Sequence, residues 1–228
     1  MPYHNIDAAF RSPKLNECYI FVKEKFIVLN YAPGETKKDV IEAPSLISKG
    51  SMIAQIPFVN VIDCAFNAEA NDGYIFSGNQ CAKMKVAAHS SECSLLTAGN
   101  IPIPVMFPCL KDTPLINGID AAIRSTEKHV FLFKGAEYYV IDFHSEDIIS
   151  HGSIGNGFRS LVGTVFEYGI DAAFSSHVKD EAYIFKGEYF ARINFAPNKT
   201  DGDFIVGGRI KLINDVWPAL YDILHYYP

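Results

Sequence analysis

A five-residue pattern recurs four times along this chain, and it limits the possible folds more than any other feature. Ile6-Asp7-Ala8-Ala9-Phe10, Ile62-Asp63-Cys64-Ala65-Phe66, Ile119-Asp120-Ala121-Ala122-Ile123 and Ile170-Asp171-Ala172-Ala173-Phe174 begin 56, 57 and 51 residues apart. A second motif follows each aspartate after 12, 11, 11 and 12 residues: Tyr19-Ile20-Phe21, Tyr74-Ile75-Phe76, Phe131-Leu132-Phe133 and Tyr183-Ile184-Phe185. Two motifs in four copies at matched spacing mean four equivalent structural units, each needing its neighbours to cover its apolar face.

Inside a unit the aromatic and β-branched residues form short alternating runs between turn formers, the period-2 signature of strands. Lys134-Gly135, Lys186-Gly187 and Ser77-Gly78 read as tight hairpin turns, and Lys23-Glu24-Lys25 fills that place in the first unit with different chemistry. A small helix is expected near Val216-Trp217-Pro218-Ala219-Leu220. Its counterparts are Gly157-Phe158-Arg159-Ser160-Leu161, Pro104-Val105-Met106-Phe107-Pro108 and, more loosely, Ile53-Ala54-Gln55-Ile56-Pro57. About four strands and a helical turn in ~50 residues make one propeller blade. The expected fold is all-β: a single four-bladed β-propeller over residues 1–228, each blade four antiparallel strands plus a short helix around a central axial channel. The blades run 2–57, 58–114, 115–165 and 166–223. The small pairs Ala8-Ala9, Cys64-Ala65, Ala121-Ala122 and Ala172-Ala173 fit an innermost strand, where four strands crowd one axis.

Composition narrows the function. The chain has 228 residues, 49% hydrophobic, with Lys+Arg 20 against Asp+Glu 26 and a formal net charge of −6. That argues against nucleic acid, which selects a clustered basic surface, and leaves room for cationic partners. No apolar window is long enough for a membrane span, and Met1-Pro2-Tyr3-His4-Asn5 shows no basic region followed by an apolar one, so a protein without a signal peptide is expected. The five cysteines, Cys18, Cys64, Cys81, Cys93 and Cys109, are odd in number and lack the C-x-x-C spacing of metal sites, which suits small buried hydrophobes in a reducing compartment. The sequon Asn198-Lys199-Thr200 reads as a surface loop.

The fourfold Ile-Asp-Ala-Ala-Phe, the Tyr-Ile-Phe-Lys-Gly hairpin and Trp217-Pro218 resemble hemopexin repeats over about residues 2 to 223. Among these, the chain is similar to legume seed albumins of the pea albumin-2 type. The resemblance implies a non-enzymatic cytoplasmic protein of seed tissue with a storage or sensing role. It also implies binding of a metal ion and a polyamine such as spermine, in some members heme, and a possible homodimer. It further implies that the backbone carbonyls of Asp7, Asp63, Asp120 and Asp171 point at the axis and hold calcium or sodium, a hard ion that takes 6–8 oxygen ligands at ~2.3–2.6 Å. For the side chains a second reading stands beside it, in which each carboxylate accepts backbone N–H groups as the chain enters its strand. By analogy the N–H groups of Ala9, Ala65, Ala122 and Ala173 form an anion ring suited to chloride.

Two departures from the hemopexin pattern stand out. Every cysteine lies at or before Cys109, so no disulfide joins the first and last blades, and closure is expected from Tyr3 and neighbours against Trp217 and Tyr221. Blade two is the most altered, with Lys and Cys in Asn79-Gln80-Cys81-Ala82-Lys83-Met84-Lys85-Val86 and an irregular outer region from Ala87 to Pro104. The seven histidines share no repeat position, although His129 and His177 are expected in corresponding loops, which gives heme only weak footing. His89-Ser90-Ser91-Glu92-Cys93 is no catalytic arrangement by itself, and G-x-S-x-G, H-E-x-x-H, P-loop and dinucleotide motifs are absent, so an enzyme is not expected. The alternatives to ligand binding are a structural or protein-interaction scaffold and a nutrient reservoir with no specific ligand.

Overall fold

In each blade the two repeated motifs pair with one another as the innermost antiparallel hairpin: Phe10 lies opposite Tyr19, Phe66 opposite Tyr74, Ile123 opposite Phe131 and Phe174 opposite Tyr183. The computed structural model describes residues 4–32, 39–49, 61–68, 71–86, 93–97, 100–125, 128–195 and 202–225. Four antiparallel sheets, one per unit, make a four-bladed β-propeller. Blade one is Ala8–Arg11, Glu17–Val22, Lys25–Asn30 and Asp39–Leu46; blade three is Ala121–Arg124, His129–Lys134, Glu137–Asp142 and Asp147–Ser153. Blades two and four keep the three inner strands but split the outer one into two short pieces, Cys93–Leu95 with Ile101–Pro102 and Phe204–Ile205 with Lys211–Leu212. The helical counterpart in blade one, Ile53 to Pro57, lies outside the described residues, as do Tyr3, His89 and the sequon.

The tight turn between second and third strands is the same in every blade. Gly78, Gly135 and Gly187 sit at φ of 53°, 54° and 54°, and Lys23 adopts φ 53° despite its Cβ. Blade one therefore reaches the same geometry with a residue that disfavours it.

The cores lie between blades, four in all among the described residues. Strand alternation sends the two small residues of each inner pair in opposite directions: Ala8 enters the core shared with blade two and Ala9 the core shared with blade four. Cys64 and Ala65, Ala121 and Ala122, and Ala172 and Ala173 divide in the same way. The pairs are small because two cores converge on each inner strand, and their side chains do not project along the axis. At the far ends of these strands one hydrogen-bonded circuit links all four blades. Arg11 Nη1 donates to Ser176 O (2.9 Å) and Asn67 Nδ2 to Arg11 O (2.6 Å). Arg124 Nη1 donates to Asn67 O (3.2 Å) and Ser175 Oγ to Arg124 O (2.7 Å).

Ring closure follows the expectation only in part. Trp217, fully buried, packs with Ile6, Ile20 and Tyr31 across the junction of blades one and four. Tyr221 does not: it is 49% exposed and stacks on His225, because the turn Tyr221–Leu224 directs Ile223 and Leu224 inward instead. Backbone pairing of His4 N–H with Leu224 O at 2.8 Å completes the junction. Tyr31, fully buried in blade one, reaches into blade four, where its hydroxyl accepts the His177 N–H at 2.7 Å and hydrogen-bonds His177 Nδ1. Cys18, Cys64, Cys81 and Cys109 are free thiols, and burial pushes the Cys81 thiol up to about 12. A thiol that stays protonated is a packing group, not a nucleophile. In blade two the unusual lysines face outward, Lys83 pairing with Asp72 at 2.9 Å, while Cys81, Ala82, Met84 and Val86 fill the core.

Blade three carries Gly157 where the other helices have Met106 and Val216. The Tyr138 ring occupies that volume, and a Cβ on residue 157 would collide with it. Gly157→Ala is therefore expected to cost about 1–2 kcal/mol by overpacking. Urea unfolding checks this, and a Tyr138→Phe/Gly157→Ala double variant should recover little, since the ring itself is the obstacle.

Candidate cation site at the channel mouth

The four repeat aspartates stand where the inner strands begin. Each backbone N–H donates at 2.9 Å to a phenylalanine carbonyl of its own blade: Asp7 to Phe21, Asp63 to Phe76, Asp120 to Phe133 and Asp171 to Phe185. Those phenylalanines are already the ladder partners of Ala8, Cys64, Ala121 and Ala172, so two consecutive residues face one, as at a bulge. The carboxylates turn to the hairpins. Oδ2 accepts from Lys23 N (2.5 Å), Gly78 N (2.6 Å), Gly135 N (2.7 Å) and Gly187 N (2.8 Å). This is the structural role for the side chains, and it explains why an aspartate and a left-handed turn recur together: one carboxylate fastens a hairpin to the start of its blade.

Three lysines that the motifs showed only as turn residues complete the arrangement. Asp7 pairs with Lys23 at 3.3 Å, Asp120 with Lys134 at 2.7 Å and Asp171 with Lys186 at 4.0 Å. Blade two has Ser77 where blades three and four carry Lys134 and Lys186, and Gly78 where blade one carries Lys23, and among the described residues Asp63 has no lysine partner. All four aspartates, with Asn117 and Lys134, line one cavity of about 290 Å³. The mouth is thus less acidic than four bare carboxylates. Among the described residues no three His, Cys, Asp or Glu side chains converge as a metal-ligating group. The hairpins hold Oδ2 of every aspartate and lysines stand at Oδ1 of three of them, so the carboxylates are largely committed within their own blades.

Deeper in, the register places the alanines. The N–H groups of Ser12, Ala68, Ser125 and Ser176 donate to the carbonyls of Glu17, Asp72, His129 and Glu181 at 2.7–2.9 Å. Hydrogen-bonded pairs alternate along an antiparallel ladder. Counting back, Ala9, Ala65, Ala122 and Ala173 fall at the alternate positions, and their N–H groups face away from the second strand toward the channel. The histidines offer no such symmetry. His129 opens a strand opposite Asp142, the place held in blade four by Glu181, while His177 sits in the preceding loop, which is one residue longer there. The expected correspondence of these two residues is therefore wrong.

No family model matches the chain. Two curated proteins do, over nearly their whole length. Albumin-2 of Pisum sativum is 40% identical over 224 residues, covering 96% of both chains, and albumin-2 of Lathyrus sativus is 39% identical over 224 residues, covering 96% of this chain and 97% of its own. The chain belongs to the albumin-2 family. Solved structures agree with this placement. A hemopexin-fold protein from cow pea superposes with a TM-score of 0.90 at 40% identity, covering 99% of this chain and 100% of its own. A plant albumin from Cicer arietinum described as showing hemagglutination reaches 0.90 at 42% identity, covering 97% and 99%. A plant lectin with two metal binding sites, also from Cicer arietinum, reaches 0.90 at 43% identity with the same coverage. This albumin-2 chain is thus a legume-type seed albumin with the hemopexin fold, and no helix among its described residues is long and apolar enough to cross a membrane.

Proposed function

We propose that the channel holds a calcium or sodium ion on the main-chain carbonyl oxygens of Asp7, Asp63, Asp120 and Asp171, in a non-enzymatic cytosolic albumin with a storage or sensing role. The observation that carries this reading is the convergence of all four repeat aspartates on one cavity of about 290 Å³, with their carboxylates already held by the hairpins. Four carbonyls and bound water suit a hard cation. A polyamine such as spermine would sit at the mouth above, where Asp63 is, among the described residues, the aspartate without a lysine partner. Chloride would fit deeper, on the N–H groups of Ala9, Ala65, Ala122 and Ala173. Heme has less support: His177 Nδ1 meets the Tyr31 hydroxyl and accepts the Asn16 N–H at 3.1 Å, which puts the neutral ring's proton on Nε2, the nitrogen left to ligate iron.

Calorimetry on chelator-treated protein tests the proposal. Calcium is expected to bind at one site per chain. Spermine should bind more weakly at higher salt, and Asp63→Asn should lose about fivefold in spermine affinity, the worth of one exposed charge contact of ~1 kcal/mol. No heat beyond dilution with either ligand at millimolar concentration would leave a nutrient reservoir or scaffold as the function.

A further inference from the structure

Blade three breaks the repeat at its helix. Ile154-Gly155-Asn156-Gly157 stands where blades two and four carry Ile103-Pro104-Val105-Met106 and Ile213-Asn214-Asp215-Val216. Glycine is a poor helix residue, and two of them in one short helix oppose the local fold, which is where a functional reason is to be sought. Gly157 makes room for Tyr138. Gly155 leaves room for the Glu167 side chain: a Cβ there would stand 3.2 Å from Glu167 Oε1 and 3.5 Å from Val162 Cγ2, displacing that carboxylate and narrowing a cavity of about 260 Å³ that both residues line.

We propose that this cavity binds the terminal residue of a neutral saccharide. Its polar walls are Ser153, Asn156, Arg159 and Glu167. Among the described residues the side chains of Ser153, Asn156 and Arg159 make no hydrogen bond or ion pair, and Glu167 commits only Oε2, to the Gly163 N–H at 2.7 Å. The free capacity therefore includes a hydroxyl and a carboxamide that both donate and accept, a guanidinium that donates and a carboxylate oxygen that accepts. A ligand rich in hydroxyl groups uses all four kinds. The one cation and one anion offset each other, so the cavity has no net charge to select an ionic ligand.

Tyr168 supplies the apolar wall. It is 72% exposed, a large aromatic surface left in water, and it lines the same cavity. A phenol ring offers a flat face to the C–H side of a pyranose and loses little entropy when it stacks. The equivalent residue in blade two's turn is Asn117, so the aromatic wall is not a property of the repeat. The frame is firm: Thr164 Oγ1 accepts from Phe166 N at 3.2 Å to hold the turn bearing Tyr168, and Asp203 accepts from Arg159 N and Ser160 N at 2.9 Å each. A preorganised frame lowers the cost of binding.

Saturation-transfer NMR on the intact protein with methyl glycosides of galactose, glucose, mannose and N-acetylglucosamine tests the proposal. At least one is expected to receive saturation on its ring C–H protons. Tyr168→Ala and Arg159→Ala, both substitutions of exposed side chains, should each weaken it about tenfold or more while the circular dichroism spectrum stays unchanged. Transfer to none of the four, or undiminished transfer in both variants, would overturn it. The cavity uses none of the four aspartates at the mouth, so this result is independent of cation binding.

Discussion

Trp217→Ala is expected to lower the stability of the propeller by about 3–5 kcal/mol, the upper range for removing a buried aromatic side chain. The indole is wholly buried and meets three rings edge-on, Tyr183 at 5.7 Å, Phe185 at 5.8 Å and Phe190 at 5.9 Å between centroids. It shares its core with Ile6, Ile20 and Leu29 of blade one, so its loss opens a cavity at the seam where the ring closes. No blade-four cysteine exists to clasp that seam covalently, and packing there must do what a disulfide would do otherwise. Denaturant unfolding monitored by far-ultraviolet circular dichroism gives the difference. Tyr221→Ala, at a 49% exposed position, is the control and should change stability by no more than about 0.5 kcal/mol. A loss below about 1 kcal/mol for Trp217→Ala would show that closure rests elsewhere.

The same seam should loosen in mild acid. Burial, and then the nearby Arg11 guanidinium, push the His177 imidazole down from 6.5 to about 4, so the folded protein keeps it neutral. In the unfolded chain the ring takes up a proton near 6.5. Between about pH 6.5 and 4 the unfolded state binds the extra proton, so stability is complete above pH 6.5, declines as pH falls toward 4 and levels off below. The full shift corresponds to about 3 kcal/mol. With the ring half-buried, solvent screening reduces this to about 2 kcal/mol. Wild type and His177→Asn, compared by urea unfolding at pH 7.5, 5.5 and 4, isolate this group from the carboxylates that also titrate. The variant should start less stable and lose about 2 kcal/mol less on acidification. Parallel losses in the two proteins would show that the His177–Tyr31 contact does not carry the pH dependence.

Much of this architecture is legible in the sequence because it is repeated. The paired motifs around Phe10 and Tyr19 define an inner hairpin, four copies define four blades, and the aspartates mark one position on each. What a repeat cannot show is the direction of a side chain relative to the neighbouring copies. Ala8 and Ala9 read as residues crowding an axis, whereas they enter two different cores. Lys134 and Lys186 read as turn residues, although each reaches back to the aspartate that opens its blade. Tyr31 and His177 lie 146 residues apart with no motif in common, and only ring closure brings them together.

Sequence alone therefore determined the fold, the number of blades and the four positions that meet at the mouth, since periodicity and spacing are properties of the chain in one dimension. The tertiary structure decided the chemistry of those positions. It tied the carboxylates to hairpin N–H groups and to lysines, turned the alanine N–H groups toward the channel, and opened a cavity in blade three at Gly155. Charge balance, hydrogen-bond satisfaction and free volume depend on distances between residues far apart in the chain, and those distances exist only once the four blades close into a ring.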